Sequence, residues 1–450
     1  MEYFRLHPDV FLTVGRNGSV LYDIMGPAIY VLDSEAERVL RHCESNACLN
    51  DGALLHSSLG VLDTLIDRGL GQYYSKPVYI DPMYFKHHDH LEPPAPPPYG
   101  KLSLVITDAC EHECEFCPYL FEHDLSWFAC SSCVRSKSIK DDADYQCQVE
   151  SLLADAYGLG VTWLHIRGGN PFLDWERLQE VLTCAAKYVV LRVCITTPGT
   201  GRPIKDIISL YERDGVCLNV TVSGAAFLEA QKEEDRSLFE AQCELLGSLS
   251  ERKLDFSITA NIVGCEAGAS EVISKVISER FGKTPYFAQF IRRSDFSLGD
   301  CRFHVVKNGK RALDIWTQPT IFYHRLINNY CLYGGIEVDN YGDIKACAGC
   351  SQCYGSVREK SLLEFAKHNE LHDTWKRSKA VVSPCNECAL RLACSDCHAA
   401  EQMAPDVPGG ATCYCPLASM DNLYDCASLL DYHPSVFFCS ADGSVMPCPK

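Results

Sequence analysis

Three cysteines, Cys110, Cys114 and Cys117, stand in the run Cys-Glu-His-Glu-Cys-Glu-Phe-Cys, directly after the apolar stretch from Leu102 to Ile106. Thiolates spaced i, i+4 and i+7 on a loop leaving a strand can converge on one site, as an iron–sulfur cluster requires. Three of them leave one iron without a protein ligand. A closed zinc site normally takes four ligands, and no further Cys or His stands at the usual offset. A zinc knuckle or a disulfide-bonded loop is the alternative use of these thiols. His112, inside the triplet, reads as a solvated loop residue.

The spacing Cys-x3-Cys-x2-Cys, with the aromatic Phe116 just before the last cysteine, resembles the signature of the radical S-adenosylmethionine (SAM) enzymes. The resemblance implies that Cys110, Cys114 and Cys117 ligate a 4Fe-4S cluster whose open iron is chelated by the amino and carboxylate groups of SAM, with Phe116 near the adenine. It further implies reductive cleavage of SAM to a 5′-deoxyadenosyl radical that abstracts hydrogen from substrate. Downstream, Arg167-Gly168-Gly169-Asn170-Pro171 resembles the family's Gly-Gly-Glu-Pro motif, whose backbone groups hold the SAM amino group; glycine permits that close approach. Asn170 replaces the usual Glu and removes a charge. By the same resemblance Thr196 with Thr197, Ser223, Asn261 and Arg292, at the ends of the third to sixth strand candidates, are polar SAM contacts. Each reads equally as a solvent-facing strand terminus.

A second concentration of thiols lies in the final third. Cys331 is followed by Gly342-Asp-Ile-Lys-Ala-Cys347, then by Cys385-x2-Cys388-x5-Cys394-x2-Cys397, with Cys413 and Cys415 beyond. This order resembles the SPASM domain, an extension of radical SAM enzymes, and implies two auxiliary 4Fe-4S clusters, three clusters in all. Carried over, Cys385, Cys388 and Cys394 with Cys413 or Cys415 hold the distal one, and Cys331, Cys347 and Cys397 the one nearer the barrel. The family's further Cys close after the first is missing between Cys331 and Cys347. Either Cys350 or Cys353 fills that place, or one iron stays open to a substrate thiolate. The family's Cys-x3-Cys is shortened to Cys394-x2-Cys397, and two Cys-x2-Cys pairs can also close a zinc site. Cys130, Cys133 and Cys147 fall in an insertion between Pro118 and Cys147; metal binding, a redox disulfide or neither are open to the Cys130-x2-Cys133 pair, and the segment reads as a loop cover over the active site. Cys439 and Cys448 repeat a Gly-x4-Cys pattern in the tail, as ligands, a hydrogen-atom donor or part of a loose terminus.

The elements that must position these residues alternate strand and helix. Strand candidates are Leu102–Thr107, Trp163–Ile166, Val189–Thr196, Cys217–Ser223, Phe256–Ile262 and Tyr286–Ile291. Helical patterns at Gln148–Tyr157, Asp174–Lys187 and Leu238–Lys253 lie between them. Repeated βα units with apolar strands imply a parallel sheet, and six strands suit the family's partial (β/α)6 barrel, with its active site at the strand C-termini.

Before them, residues 10–32 alternate around Asn17-Gly18, which predicts a β-hairpin with a tight primed turn. Asp33 and Ser34 cap a helix carrying Ala36, Val39 and Leu40, and a second helix is expected from roughly Gly52 to Arg68. This small unit resembles the winged-helix leader-recognition domain of enzymes that modify ribosomally made peptides. Pro93 to Pro98 read as a stiff connector. The expected division is therefore residues 1–92, 93–300 and 301–450.

The 450 residues suffice for two or three cored domains, and 27 cysteines far exceed ordinary usage. The start Met-Glu-Tyr-Phe-Arg-Leu-His-Pro lacks a basic region followed by an apolar one, and no stretch approaches the ~18 apolar residues of a membrane span. A cytoplasmic protein with reduced, metal-binding thiols is expected. A net charge of −18 disfavours nucleic acid, whose phosphates need clustered Lys and Arg. The combined reading is a radical SAM/SPASM peptide maturase, served by an electron donor, that joins a Cys sulfur to a carbon in a precursor peptide. Epimerisation, carbon–carbon cross-linking and formylglycine formation are the alternatives within the chemistry. A non-catalytic zinc-bound scaffold is the alternative from another class.

Overall fold

The computed structural model describes residues 2–54, 59–80, 99–112, 114, 125–128, 145–188, 192–228, 233–263, 269–292, 319–348, 350, 352–368, 370–394, 422–424 and 435–447. In chain order its strands are β1 (Tyr3–Leu6), β2 (Val10–Gly15), β3 (Gly18–Asp23), β4 (Ala28–Leu32), β5 (Gly71–Tyr74), β6 (Lys101–Thr107), β7 (Leu125–Phe128), β8 (Trp163–Gly168) and β9 (Arg192–Thr197). They continue as β10 (Val216–Ser223), β11 (Phe256–Val263), β12 (Tyr286–Arg292), β13 (Gly335–Val338), β14 (Ile344–Lys345), β15 (Val436–Cys439) and β16 (Val445–Pro447).

The main sheet runs β14-β13-β6-β8-β9-β10-β11-β12-β7. The six expected strands, β6 and β8 to β12, lie side by side in sequence order and all parallel. Parallel neighbours need crossovers, and helices Tyr145–Gly158, Trp175–Ala185, Ile204–Ser209, Glu233–Glu251 and Ala269–Phe281 supply them. Their buried stripes, such as Leu178, Val181 and Leu182, pack on Leu102, Leu104, Ile166, Ile195, Leu218 and Ile258 in the largest core. All C-terminal strand ends therefore lie along one edge, where the connecting loops gather.

Residues 2–54 and 59–74 form a hairpin and two helices. In β2 and β3, Gly15 opposes Gly18, and Gly18 takes φ +110° while Arg16 and Asn17 do not enter the positive region. The turn is thus not of the primed kind that Asn-Gly predicts; the Asn17 side chain is turned to another partner, described below. Asp33 caps helix Ser34–Glu44 by accepting from Ala36 N at 2.7 Å. The second helix, expected from roughly Gly52 to Arg68, is described over Gly60–Asp67; Gly52 takes φ +81° and is not helical, and residues 55–58 lie outside the described residues.

Two pairings join segments far apart in sequence. β13 lies parallel to β6 at the edge of the main sheet, and β15 lies parallel to β4, so that the sheet order is β16-β15-β4-β3-β2. One face of that smaller sheet packs on its own helices through Leu21, Tyr30, Val39 and Leu62. The other packs Phe11, Tyr22 and Val31 against Phe322, Tyr323, Ala389 and Leu392.

Candidate active site

Cys110 and Cys114 sit on the loop leaving β6, each partly buried. Phe116 and Cys117 lie outside the described residues. The loop is fastened to the segment after β8 by main-chain bonds from Gly169 N to Thr107 O at 2.9 Å and from Asn170 N to Ala109 O at 2.7 Å. That approach needs glycine twice. Gly168 takes φ +147°, and a Cβ there would lie 2.2 Å from Thr107 O; one on Gly169 would lie 2.3 Å from Ala109 O. The Gly168-Gly169-Asn170-Pro171 run is wholly buried and brings its backbone against the cysteine loop, an approach that glycine permits.

Asn170 does not face an empty place. Its Oδ1 accepts from the Thr197 hydroxyl at 3.0 Å and from Phe172 N at 3.1 Å. Its Nδ2 donates to the two carboxylate oxygens of Glu111, at 2.9 and 3.1 Å, and to Thr200 O at 3.0 Å. Glu111 Oε1 also accepts from the Thr200 hydroxyl at 2.6 Å and lies 3.3 Å from His112 Nε2. Since the one Thr200 hydrogen goes to the carboxylate, the His112 ring nitrogen 2.7 Å away is the donor in that contact. Burial pushes the Glu111 carboxyl up, but the hydrogen bonds from His112, Thr200 and Asn170 outweigh it and hold its pKa at about 2. Among the described residues no Lys or Arg pairs with it, so an anion with 31% of its side chain exposed sits beside Cys110 without a fixed cation.

Glu111, Thr197, Thr200 and His112 were not singled out by sequence as a unit, and His112 is not the solvated residue expected. The available signals were an acidic residue inside the triplet and the Thr197-Pro-Gly-Thr200-Gly turn after β9. Two further ties position the loop. Asp108 Oδ2 accepts from Asn340 Nδ2 at 2.5 Å, linking it to the turn between β13 and β14, and Arg167 at the end of β8 lies 3.8 Å from Glu337 of β13, both side chains only 3% exposed.

Each strand alternates. Residues such as Leu164, Ile166, Val193, Ile195, Leu218 and Val220 enter the main core, whereas the opposite face carries buried His165, Arg167, Thr196, Asn219, Thr221, Thr259 and Asn261. Thr196 Oγ1 meets His165 Nε2 at 2.7 Å and Asn219 Nδ2 at 3.2 Å, and Asn219 Oδ1 accepts from Ser257 and Thr259, each at 3.0 Å. Burial holds the His165 imidazole well below its usual range, hence neutral. Thr196 thus belongs to this polar ladder, while Thr197 reaches Asn170. Ser223 and Asn261 are register partners at the ends of β10 and β11, and Arg292 ends β12 opposite Leu125. A sheet covered by helices on one face and lined with bonded polar groups on the other has a chemical surface at the edge where Cys110 and Cys114 emerge.

Of the C-terminal thiols, Cys347 and Cys350 are brought together, Sγ to Sγ 3.4 Å, while the exposed Cys353 contacts Gly355 O at 3.3 Å. Cys331 is exposed. Cys385, Cys388 and Cys394 lie on one short looped segment around the one-turn helix Cys385–Glu387. Cys397, Cys413 and Cys415, like Cys130, Cys133 and Cys448, lie outside the described residues, as does the side chain of Cys147. Among the described residues no three ligand-type side chains already converge on one metal. The thiols that are described, Cys110 with Cys114 on one loop and Cys385, Cys388 and Cys394 on another segment, are of the donor type that iron–sulfur clusters take. Cys439 is different. It ends β15, fully buried among Ala36, Leu40 and Leu62, and burial pushes its thiol up to about 12. It is a core residue. Cys439→Ala is expected to leave iron content and turnover unchanged and to lower stability by about 1–2 kcal/mol, as thermal unfolding and iron analysis will show.

The chain is similar in structure to crystal structures of Streptococcus suis SuiB, including that bound to the precursor peptide SuiA, at 15% identity over 89% of this chain and 96% of that one, TM-score 0.44. It is also similar to native anSMEcpe with bound AdoMet, at 17% identity over 73% and 98% of the two chains, TM-score 0.49. BtrN in complex with AdoMet and 2-DOIA aligns at 15% identity over 66% and 92%, TM-score 0.34. No protein-family model matches the chain. No curated protein matches it either.

Proposed function

We propose that this protein is a radical SAM enzyme that modifies a peptide, with its SAM site at the edge formed by the ends of β6, β8 and β9. The observation that carries the reading is the carboxylate of Glu111, presented next to Cys110 by Asn170, Thr200 and His112. Where the resembling motif has an acid, this chain has Asn170, and the missing charge returns 2.9 Å away from the cysteine loop itself. Such an anion is matched to the ammonium of SAM.

Cys110, Cys114 and Cys117 would hold the cluster, Gly168 and Gly169 would offer main-chain groups, and Ser223, Asn261 and Arg292 would line the remaining strand ends, with Phe116 at the adenine. When bound, the cluster and SAM supply one-electron cleavage and hydrogen-atom abstraction; the chain supplies orientation and exclusion of water. The parallel strands, bonded on one face only by polar side chains, support a curved (β/α)6 arrangement around that site.

Cys385, Cys388 and Cys394, with Cys413 or Cys415, would form one auxiliary centre, and Cys331, Cys347 and Cys397 the other. The 3.4 Å approach of Cys350 to Cys347 favours Cys350 in the place left open by the sequence pattern. Residues 1–92 serve in this reading as a winged-helix unit for a precursor's leader, which raises the local concentration of its core segment. A thioether between a Cys sulfur and a carbon is the product we favour; it removes two hydrogens, and a peptide of unchanged mass would point to epimerisation instead. No helix among the described residues is long and apolar enough to cross a membrane; a cytoplasmic setting and an electron donor are part of this reading.

The site assignment is tested at Glu111. A hydrogen bond to a charged group contributes about 1.5–3 kcal/mol, so Glu111→Gln should weaken SAM binding by about 10- to 100-fold in equilibrium dialysis with the iron content retained. Unchanged affinity would contradict the proposed ammonium contact.

A further inference from the structure

We infer that the tip of the β2–β3 hairpin is an outer wall of the C-terminal cysteine centre, and that Asn17 is a positioning residue for it through an N–H···S bond to Cys388. The inference rests on the proposed reading of Cys388 as a cluster ligand and adds to it a residue 371 positions away.

Asn17 is only 3% exposed although it stands in a turn. A turn asparagine ordinarily bonds its own neighbouring backbone or faces water. Here both ends of the carboxamide go elsewhere: Nδ2 donates to Cys388 Sγ at 3.3 Å, and Oδ1 accepts from Ala389 N at 2.9 Å. The adjoining main chain follows the same segment, with Arg16 N donating to Glu387 O at 2.6 Å and Asn17 O accepting from Leu423 N at 2.8 Å. From the other side, Arg391 Nη1 spans Val14 O at 3.2 Å and Cys388 O at 2.8 Å, and the Tyr22 hydroxyl donates to Ala389 O at 2.8 Å. The approach is close enough that a Cβ on Gly15 would lie 2.3 Å from Ala389 N.

Residues 387–389 are thereby held peptide by peptide, and the sulfur of Cys388 receives a fixed dipole from a rigid hairpin. Hydrogen bonds to cluster sulfurs, together with burial and charge, set the reduction potential, and partners of the ligands orient them. A donor aimed at the sulfur favours the more negative, reduced state. Residues 10–23 would then belong to the environment of an electron-transfer centre rather than to a separate recognition module alone.

The test uses full-length protein reconstituted anaerobically in a Cys110→Ala/Cys114→Ala background, so that the C-terminal centres alone give the EPR signal. Redox titration is compared with and without Asn17→Asp, which keeps the acceptor for Ala389 N but replaces the donor with an anion, and Asn17→Ala, which removes both. The expected result is full iron content with a midpoint potential shifted negative, further for Asp than for Ala. Potentials equal to the parent's in variants that retain their iron would overturn the inference and leave Asn17 a latch between segments. If Asn17→Asp does not fold, the uncharged Asn17→Ala carries the same decision. Failure of the cluster reading is distinguishable: Cys388→Ser would then leave iron content unchanged.

Discussion

Replacing Cys110 and Cys114 together by alanine is expected to reduce SAM cleavage to background while removing about four irons from the reconstituted protein. Both side chains sit on the loop beyond β6 and neither enters the core, so the substitution should spare the fold. The loss is expected to be complete because one remaining thiolate of the proposed set, Cys117, cannot hold a cluster alone, and the described polar groups nearby are the amide of Asn170, the hydroxyls of Thr197 and Thr200, and the carboxylate of Glu111. Iron analysis and quantification of 5′-deoxyadenosine under reducing conditions measure the two effects together. Iron loss confined to this centre, with the remainder retained, would also separate it from the C-terminal thiols.

The largest effect on stability is expected at Arg167. Its guanidinium and the Glu337 carboxylate are both buried on the polar face of the sheet, 3.8 Å apart. Burial pushes the Glu337 carboxyl up, and Arg167, Lys345 and Lys101 pull it only partly back. Removing one partner of a buried pair leaves an uncompensated charge, so Arg167→Met should destabilise by about 3–5 kcal/mol near neutral pH. The sign of the pH dependence follows from the raised carboxyl. Its stability contribution is fully present below the unfolded value of about 4.3 and is lost as pH rises through the folded value. Without Arg167 the folded value rises further, so the deficit should shrink on acidification toward that range, where Glu337 is neutral in both proteins. Denaturant unfolding across that range checks it; a deficit independent of pH would mean that Arg167 acts through packing. Arg167→Met/Glu337→Leu should recover much of the loss.

Much of the frame was legible because it is written in local pattern. Short apolar runs separated by helical periods located β6 and β8 to β12, and a glycine pair at the end of β8 stands where two backbones meet. What escaped was non-local. Nothing near residues 335–338 announces pairing with β6, and nothing near residues 436–439 announces pairing with β4, since register between segments hundreds of residues apart leaves no mark on either one. The polar face was hidden for a different reason. Thr196, Asn219 and Thr259 interrupt strands whose apolar residues dominate any window, and only their mutual bonds reveal that they are buried and satisfied. Glu111 escaped because attention falls on the thiols around it, and an acidic loop residue ordinarily means solvent. Asn17 escaped because Asn-Gly is so strong a turn signal that it leaves no reason to ask where the side chain goes.

The central claim is a thiol-held cluster with one iron open to SAM at the end of β6. It is tested most directly by EPR of the reduced, reconstituted wild-type protein before and after adding SAM. The account predicts that SAM alters the signal of one centre, and that this response is absent when Cys110 and Cys114 are replaced by alanine. A signal unchanged by saturating SAM, or a response that survives the replacement, would contradict it.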